Sequence, residues 1–82
     1  MTILAVFKSR AQTLDFLQRI KAVGVPAQAV STPKEAGVGC GISAKFDERF
    51  YERAKRILNL RVYSSFTGFM RSGMNGYSYL GP

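Results

Sequence analysis

The stretch TILAVF, which occupies Thr2–Phe7, decides how the rest of the chain can fold. It contains β-branched and aromatic side chains and no glycine or proline. A short run that is apolar at nearly every position, rather than at alternate positions, is typical of a strand buried on both faces. We therefore predict a central strand here, with the other elements arranged around it.

A helix is predicted directly after this strand. Ser9 is placed to cap the first turn, because a serine hydroxyl accepts a hydrogen bond from an amide that has no partner inside the helix. Gly24, which follows basic residues, is placed to end the helix. Apolar residues recur between these ends at intervals of three and four and predict one buried face: Ala11, Leu14, Leu17 with Phe16 beside it, and Ile20.

Two further strands are predicted in the middle of the chain. Residues 25–30 alternate weakly, and their strand lies at a sheet edge or begins at Pro26, since proline cannot donate to a strand ladder. Residues 31–39 are small and turn-forming, and they predict a loop. Residues 40–46 alternate more strictly, so Cys40 is predicted to open a third strand on its core-facing side.

The last part of the chain predicts a second helix, a fourth strand and a tail. Asp47 is placed to cap the helix, Asn59 to close it, and residues 60–66 alternate as a strand would. Glycines then interrupt an aromatic-rich tail that is too apolar to be left in water. We predict a domain over residues 1–66 and a tail over residues 67–82, with little regular structure, that packs on the domain or on a partner.

The predicted fold class is α+β with a ferredoxin-like βαββαβ order. Right-handed crossovers place both helices on one face of a four-stranded antiparallel sheet. The other face needs a cover, because a large exposed apolar surface favours association. We expect the C-terminal tail or a second copy of the chain to supply it, the latter as a homo-oligomer through the open sheet face or the tail.

Composition restricts the location and the partners. The 82 residues carry a net charge of +7 and one cysteine, with no histidine and no tryptophan. One cysteine cannot form an internal disulfide, and neither a leader nor an apolar run of about 20 residues is present, so we predict a cytoplasmic protein with no membrane span. The positive charge predicts an acidic partner protein, which would meet the basic face of the second helix at residues 49–56.

The same composition argues against most catalytic centres. A single chain with one cysteine and no histidine cannot build a tetrahedral zinc site. The sequence also has no carboxylate pair in a catalytic setting, no phosphate-binding loop and no Ser-His-Asp set. We therefore predict no metal and no cofactor, and we expect a carrier or accessory protein rather than a self-sufficient enzyme.

RNA binding is a further alternative, because RNA-recognition modules share the predicted element order. Those modules stack bases on aromatic side chains of their central strands. The residues predicted to face outward make a poor stacking platform, so we do not expect nucleic acid to be the main partner. These residues are Ile3, Ala5 and Phe7 in the first strand, and Gly41, Ser43 and Lys45 in the third.

Cys40 is the residue on which any covalent chemistry would depend. A carrier thiol must react as the thiolate and must be accessible. Gly39 and Gly41 allow backbone amides to converge on the sulfur as an anion-binding nest, and Lys34 would add positive charge. The alternative is a small buried side chain, because cysteine is among the most buried residue types and shares its strand face with Ile42. Both interpretations stay open.

Four features occur together in this sequence: the turn at Ser9, the helix end Gly24-Val25, the triplet at residues 33–35 and the Cys40-Gly41-Ile42 strand start. In these features the chain resembles the selenium/sulfur carrier-like proteins, a family of small bacterial domains. The resemblance covers the first half to two-thirds of the chain.

The resemblance implies that Cys40 holds sulfur or selenium, as a persulfide or selenosulfide, for transfer to a partner. Lys34, Gly39 and Gly41 would then be the substrate-binding residues. Lys34 stands where arginine is usual, and Gly37 and Gly39 replace small hydroxylated residues, so hydroxyl donors to the sulfur would be missing. The alternatives are a non-catalytic interaction or regulatory subunit with an inert Cys40, or a weak RNA-binding module.

Overall fold

The computed structural model describes residues 1–37 and 40–81. Five strands form one antiparallel sheet in the order β2-β3-β1-β4-β5. In chain order the elements are β1 (Thr2–Phe7), α1 (Arg10–Ala22), β2 (Ala27–Ser31), a 3₁₀ turn (Lys34–Ala36), β3 (Ile42–Asp47), a second 3₁₀ turn (Glu48–Phe50), α2 (Tyr51–Leu60), β4 (Phe66–Gly73) and β5 (Gly76–Tyr79).

Strand β1 lies between β3 and β4, so the prediction of a central strand is confirmed. Its residues 3–7 are buried on both faces. Phe7 and its alternate residues Ile3 and Ala5 pack with the helices, whereas Leu4 and Val6 face the other way. The prediction that Ile3, Ala5 and Phe7 face outward is therefore wrong. Where both faces of a strand are apolar, its sequence does not indicate which face carries the helices.

Helices α1 and α2 both pack on the Phe7 side of the sheet. The Ser9 hydroxyl accepts a hydrogen bond from the Gln12 amide at 3.2 Å, which confirms the predicted cap of α1. The predicted apolar face of α1 is shifted, however, because Ala11 and Leu14 are exposed. The buried residues of α1 are Thr13, Phe16, Leu17 and Ile20.

The opposite face of the sheet is covered in part by the 3₁₀ turn Lys34–Ala36. Its residue Ala36 packs in one buried cluster with Leu4, Val6 and Met70. Strand β5 holds this turn in place, since the Tyr79 hydroxyl donates to the Ala36 carbonyl at 2.8 Å. The chain thus supplies cover for this face from the segment that leads to Cys40.

The predicted four-stranded sheet is corrected to five strands. The fourth strand lies at Phe66–Gly73 rather than at residues 60–66, and the segment predicted to have little regular structure contributes β4 and β5. Helix α2 extends through Leu60 because no helix breaker precedes that residue. Strand β4 was not predicted because two adjacent residues within it, Phe69 and Met70, are both buried, one on each face of the sheet. Apolar and polar residues therefore do not alternate there as they do in a strand with one exposed face. The tail glycines Gly73 and Gly76 pair across a hairpin turn.

The structure thus confirms a mixed α+β fold with two helices. The predicted four strands and the ferredoxin-like order are not matched exactly, because β5 adds a fifth strand beside β4. Strand β2 lies at a sheet edge, directly after Pro26, as predicted. Asp47 caps the 3₁₀ turn that precedes α2, through a hydrogen bond from the Arg49 amide at 3.0 Å. In residues 1–37 and 40–81, no helix is both long and apolar enough to cross a membrane.

Two methionines test whether the C-terminal strands belong to the core. Met70 has no exposed surface, whereas Met74, in the β4–β5 turn, is fully exposed. Met70→Ala should lower the free energy of unfolding by about 2–5 kcal/mol, because it removes buried contacts and leaves a cavity. The matched variant Met74→Ala should change it by less than about 0.5 kcal/mol. Chemical denaturation followed by circular dichroism measures both, and equal effects would contradict this packing of β4.

Candidate thiol site

Cys40 lies where the end of β1, the start of α1 and the entrance to β3 meet. Strands β1 and β3 are antiparallel with Ala5 opposite Ala44, so the residues that follow β1 run beside those that precede β3. Cys40 is half-buried and unpaired with any other cysteine. The predicted strand began at Cys40, but β3 begins at Ile42, so the thiol belongs to the loop rather than to the ladder.

Among the residues that the structure describes, two place a polar atom beside the sulfur. Its Sγ atom lies 3.4 Å from the Thr13 hydroxyl oxygen and 3.5 Å from the Ile42 carbonyl oxygen. The Thr13 side chain is fully buried, and its hydroxyl also lies 2.9 Å from the Ser9 carbonyl oxygen. Because a hydroxyl has one proton, Thr13 donates either to Ser9 or to the sulfur.

This arrangement accommodates both protonation states of the sulfur. As a thiol, Cys40 donates to the Ile42 carbonyl while Thr13 donates to Ser9. As a thiolate, the sulfur accepts from the Thr13 hydroxyl, and the Ser9 carbonyl keeps the hydrogen bond from the Thr13 amide at 3.0 Å. The Ser9 carbonyl therefore keeps a hydrogen-bond partner whichever way the Thr13 hydroxyl donates. This avoids the usual cost of an unsatisfied buried polar group. Thr13 belongs to the first turn of α1, so the contact places the sulfur beside the start of that helix.

Sequence reasoning missed Thr13, although the sequence contained a signal for it. The residue stands three positions before Phe16 and seven before Ile20, which is the spacing of the buried helical face. A polar side chain on a face that is otherwise apolar needs a hydrogen-bond partner inside the fold. The predicted face was defined by its apolar members alone, so Thr13, which lies on the same side of the helix between Leu17 and Ile20, was given no role.

The other predicted site residues are distributed around the loop. Gly41 is exposed and has a left-handed φ of 96°, which favours glycine directly after the thiol. Its carbonyl accepts from the Thr32 amide at 3.0 Å, and this hydrogen bond ties the two ends of the loop together. Lys34 is exposed in the 3₁₀ turn, and within residues 1–37 and 40–81 the polar contacts of Sγ are with Thr13 and Ile42 instead. Gly39 lies outside the described residues.

Helix α1 is fixed on its other side by two polar clusters. In the first, Gln12 Oε1 accepts from the amide and the hydroxyl of Ser65, at 2.9 and 2.7 Å. In the second, Asp15 Oδ2 accepts from the Tyr63 hydroxyl at 2.7 Å and from Arg19 Nε at 3.2 Å, and it forms an ion pair with Arg61, whose Nε atom also lies at 3.2 Å. Both clusters join the first half of α1 to the segment between α2 and β4, and so hold Thr13 in place.

The Asp15 cluster shifts the ionisation of both its acid groups. The hydrogen bond from Tyr63 is the main cause that lowers the pKa of Asp15 below its ordinary value, and the two arginines act in the same direction. Burial, followed by the hydrogen bond to Asp15, raises the pKa of Tyr63 to about 12. At neutral pH the pair therefore consists of a carboxylate and a protonated phenol.

No metal site is found in the part of the chain that the structure describes. Within it, no three side chains of the metal-ligating types histidine, cysteine, aspartate and glutamate come together.

Comparison with known protein families matches residues 2–62 to the family described as "Putative Se/S carrier protein-like". The matched range runs from β1 to just beyond α2 and contains Cys40 and Thr13. Neither a search of curated proteins nor a search of solved structures found a match.

The Asp15–Tyr63 pair predicts a loss of stability at both ends of the pH range. The lowered pKa of Asp15 contributes stability that is present above its unfolded-state value and is lost as the pH falls through the folded-state value. The raised pKa of Tyr63 contributes stability that is lost as the pH rises from about 10 towards about 12. Tyr63→Phe should lower the free energy of unfolding at neutral pH by about 1–2 kcal/mol and weaken both pH dependences.

Tyr51→Phe is the matched control, since the Tyr51 hydroxyl makes no hydrogen bond among the described residues. Urea titrations from acid to alkaline pH measure both variants. If the two variants have the same pH profile, the Asp15–Tyr63 pair does not contribute as described.

Proposed function

This chain belongs to the Se/S carrier protein-like family, and from that premise we propose that it carries sulfur or selenium on Cys40, as a persulfide or selenosulfide, for transfer to a partner protein. One observation carries the assignment to Cys40. Its half-buried sulfur lies 3.4 Å from the hydroxyl of a fully buried threonine, in the first turn of α1. That hydroxyl can donate a hydrogen bond to the sulfur while the sulfur carries a negative charge, which is the state in which a carrier thiol reacts.

The transfer consists of two exchanges that need no external oxidant or reductant. In loading, the Cys40 thiolate attacks the outer sulfur of a donor persulfide, R–S–SH. The donor S–S bond breaks, R–S⁻ leaves, and Cys40–S–SH forms. In delivery, an acceptor thiolate attacks that outer sulfur and Cys40 leaves as the thiolate. A selenosulfide, Cys40–S–SeH, follows the same scheme with selenium as the transferred atom.

Thr13 supports both exchanges from the helix side. Its hydroxyl donates to the sulfur while Cys40 is an attacking or leaving thiolate, and it returns to the Ser9 carbonyl once the outer sulfur is bound. In sequence, the residues before Cys40 lack the hydroxyl groups that the family resemblance leads one to expect. Thr13 supplies such a donor from α1, 27 positions away in the chain.

An interaction or regulatory subunit with an inert Cys40 is the second candidate. The observation that favours it is the 3.5 Å contact between Sγ and the Ile42 carbonyl oxygen, which suits a thiol that donates. A negative sulfur at that position would be repelled by the carbonyl unless Thr13 compensates. The two candidates therefore differ in the role of the Thr13 hydroxyl.

Alkylation of Cys40 separates these candidates. In the folded protein at neutral pH, Thr13→Val should lower the rate of reaction with iodoacetamide about tenfold, because it removes a hydrogen bond to a charged group. Thr13→Ser keeps the hydroxyl and should react at nearly the original rate. Mass spectrometry over time measures the rates, and the unfolded variants should react alike. If Cys40 of the original chain is alkylated only after unfolding, the result supports the second candidate, an interaction or regulatory subunit with an inert Cys40.

Loading with a small persulfide tests the carrier role directly. Incubation with glutathione persulfide should add one sulfur atom to the original chain, and a second thiol should then remove it. Cys40→Ser should gain no sulfur, and Thr13→Val should load more slowly. Intact-mass spectrometry gives the stoichiometry. If Cys40 is alkylated but never gains sulfur, the thiol is reactive and the carrier role is contradicted.

A further inference from the structure

We propose that the groove between α1 and α2 is the docking site for an acidic, amphipathic helix of a partner protein. The proposal rests on the proposed function only in that a carrier must meet a donor or an acceptor. It concerns a surface that contains neither Cys40 nor Thr13, so it can be tested separately from the thiol chemistry.

The floor of the groove is apolar and exposed. It is lined by Ala22, Val23, Ile57 and Leu60. Val23 is 46% exposed and Leu60 is 82% exposed, at the ends of α1 and α2. Burying large aliphatic side chains of this kind is worth about 1.5–3 kcal/mol each, which makes the groove a favourable contact surface.

The rim of the groove is positively charged. Arg19 and Arg61 line it, and each has Asp15 as its ion-pair partner. Arg53 donates to the Val23 carbonyl at 3.4 Å, beside the groove, and Arg56 precedes Leu60 by one helical turn. Arg53 and Arg56 have no ion-pair partner within residues 1–37 and 40–81. An occupant with carboxylates around an apolar stripe would therefore satisfy both the rim and the floor.

The occupant is a helix because the groove offers no backbone donors. Its walls are the C-terminal ends of two helices, whose last carbonyls can only accept hydrogen bonds, so a docked segment must satisfy its own carbonyls. An extended segment would find unpaired ladder groups only at a sheet edge such as β2. A helix with apolar residues at intervals of three and four fits between two helices by side-chain packing alone.

The groove lies within reach of the thiol. Arg61 contacts Asp15 on one side of α1, and Cys40 contacts Thr13 on the other. The two sides are roughly opposite because Thr13 and Asp15 are two positions apart and each position turns the helix by about 100°. The groove also lies at the other end of α1, because Thr13 and Ala22 are nine positions apart in the helix, which is about 14 Å along its axis. Together with one helix diameter of about 10 Å, this separates the groove from the sulfur by roughly 15–20 Å. A partner anchored in the groove would reach Cys40 by extending over the first turns of α1.

Binding of a synthetic peptide tests the proposal. The probe is a fluorescein-labelled helix of about 18 residues with leucines along one stripe and glutamates on the other faces. A second peptide has the same composition with its leucines scattered. With the full chain carrying Cys40→Ser, fluorescence anisotropy should show the striped peptide binding at least about tenfold more tightly, since a buried leucine is worth more than 1.4 kcal/mol.

Two pairs of variants locate the binding. Leu60→Ser should reduce affinity for the striped peptide about tenfold, whereas Met74→Ser, at a fully exposed position in the β4–β5 turn, should leave it unchanged. Arg56→Glu should likewise weaken binding more than Arg71→Glu, which makes the same charge change on β4. Equal binding of the two peptides, or equal effects within either pair, would mean non-specific charge attraction and overturn the proposal. Light scattering that shows a dimer broken by Leu60→Ser would overturn it in favour of a second copy.

Discussion

The burial of β1 on both faces is the constraint from which the rest of this structure follows. A strand that is apolar at nearly every position must be covered above and below, and a chain of 82 residues has few elements with which to do so. The two helices cover the Phe7 face. The other face receives the 3₁₀ turn Lys34–Ala36, which contributes Ala36 to the cluster around Leu4 and Val6. The segment that leads to Cys40 is thus packed against the sheet through Ala36.

The environment of the thiol follows from the same sheet. Antiparallel pairing of β1 with β3 brings the start of α1 beside the entrance to β3, and Thr13 then reaches Cys40 across a short gap. Both polar clusters on the other side of α1 hold that helix against the segment after α2. The sulfur is therefore placed by three parts of the chain that are distant in sequence, which gives a single cysteine a defined set of partners without any histidine.

The sequence predicted elements well where a local pattern has one interpretation. Ser9 as a helix cap and the edge position of β2 beside Pro26 are of this kind, and the family could be identified from Cys40 and its neighbours. Prediction failed where the outcome depends on tertiary contacts. Leu60 and Val62 alternate as a strand would, but they end a helix and begin a loop. Thr13 was missed because its role depends on a residue far away in the chain, whose position only the folded sheet determines.

The contact between β5 and the 3₁₀ turn has a consequence for the order of events during synthesis. Tyr79 donates to Ala36, and the Tyr77 amide donates to Glu35, so the turn that precedes Cys40 is fastened by residues made more than 40 positions later. A chain grows from its N-terminus at about 5–20 residues per second, so the thiol loop leaves the ribosome before the strand that secures it. The loop therefore reaches its final support only when the last hairpin has emerged and paired. The thiol site is therefore completed only at the end of synthesis, after most of the chain has already been made.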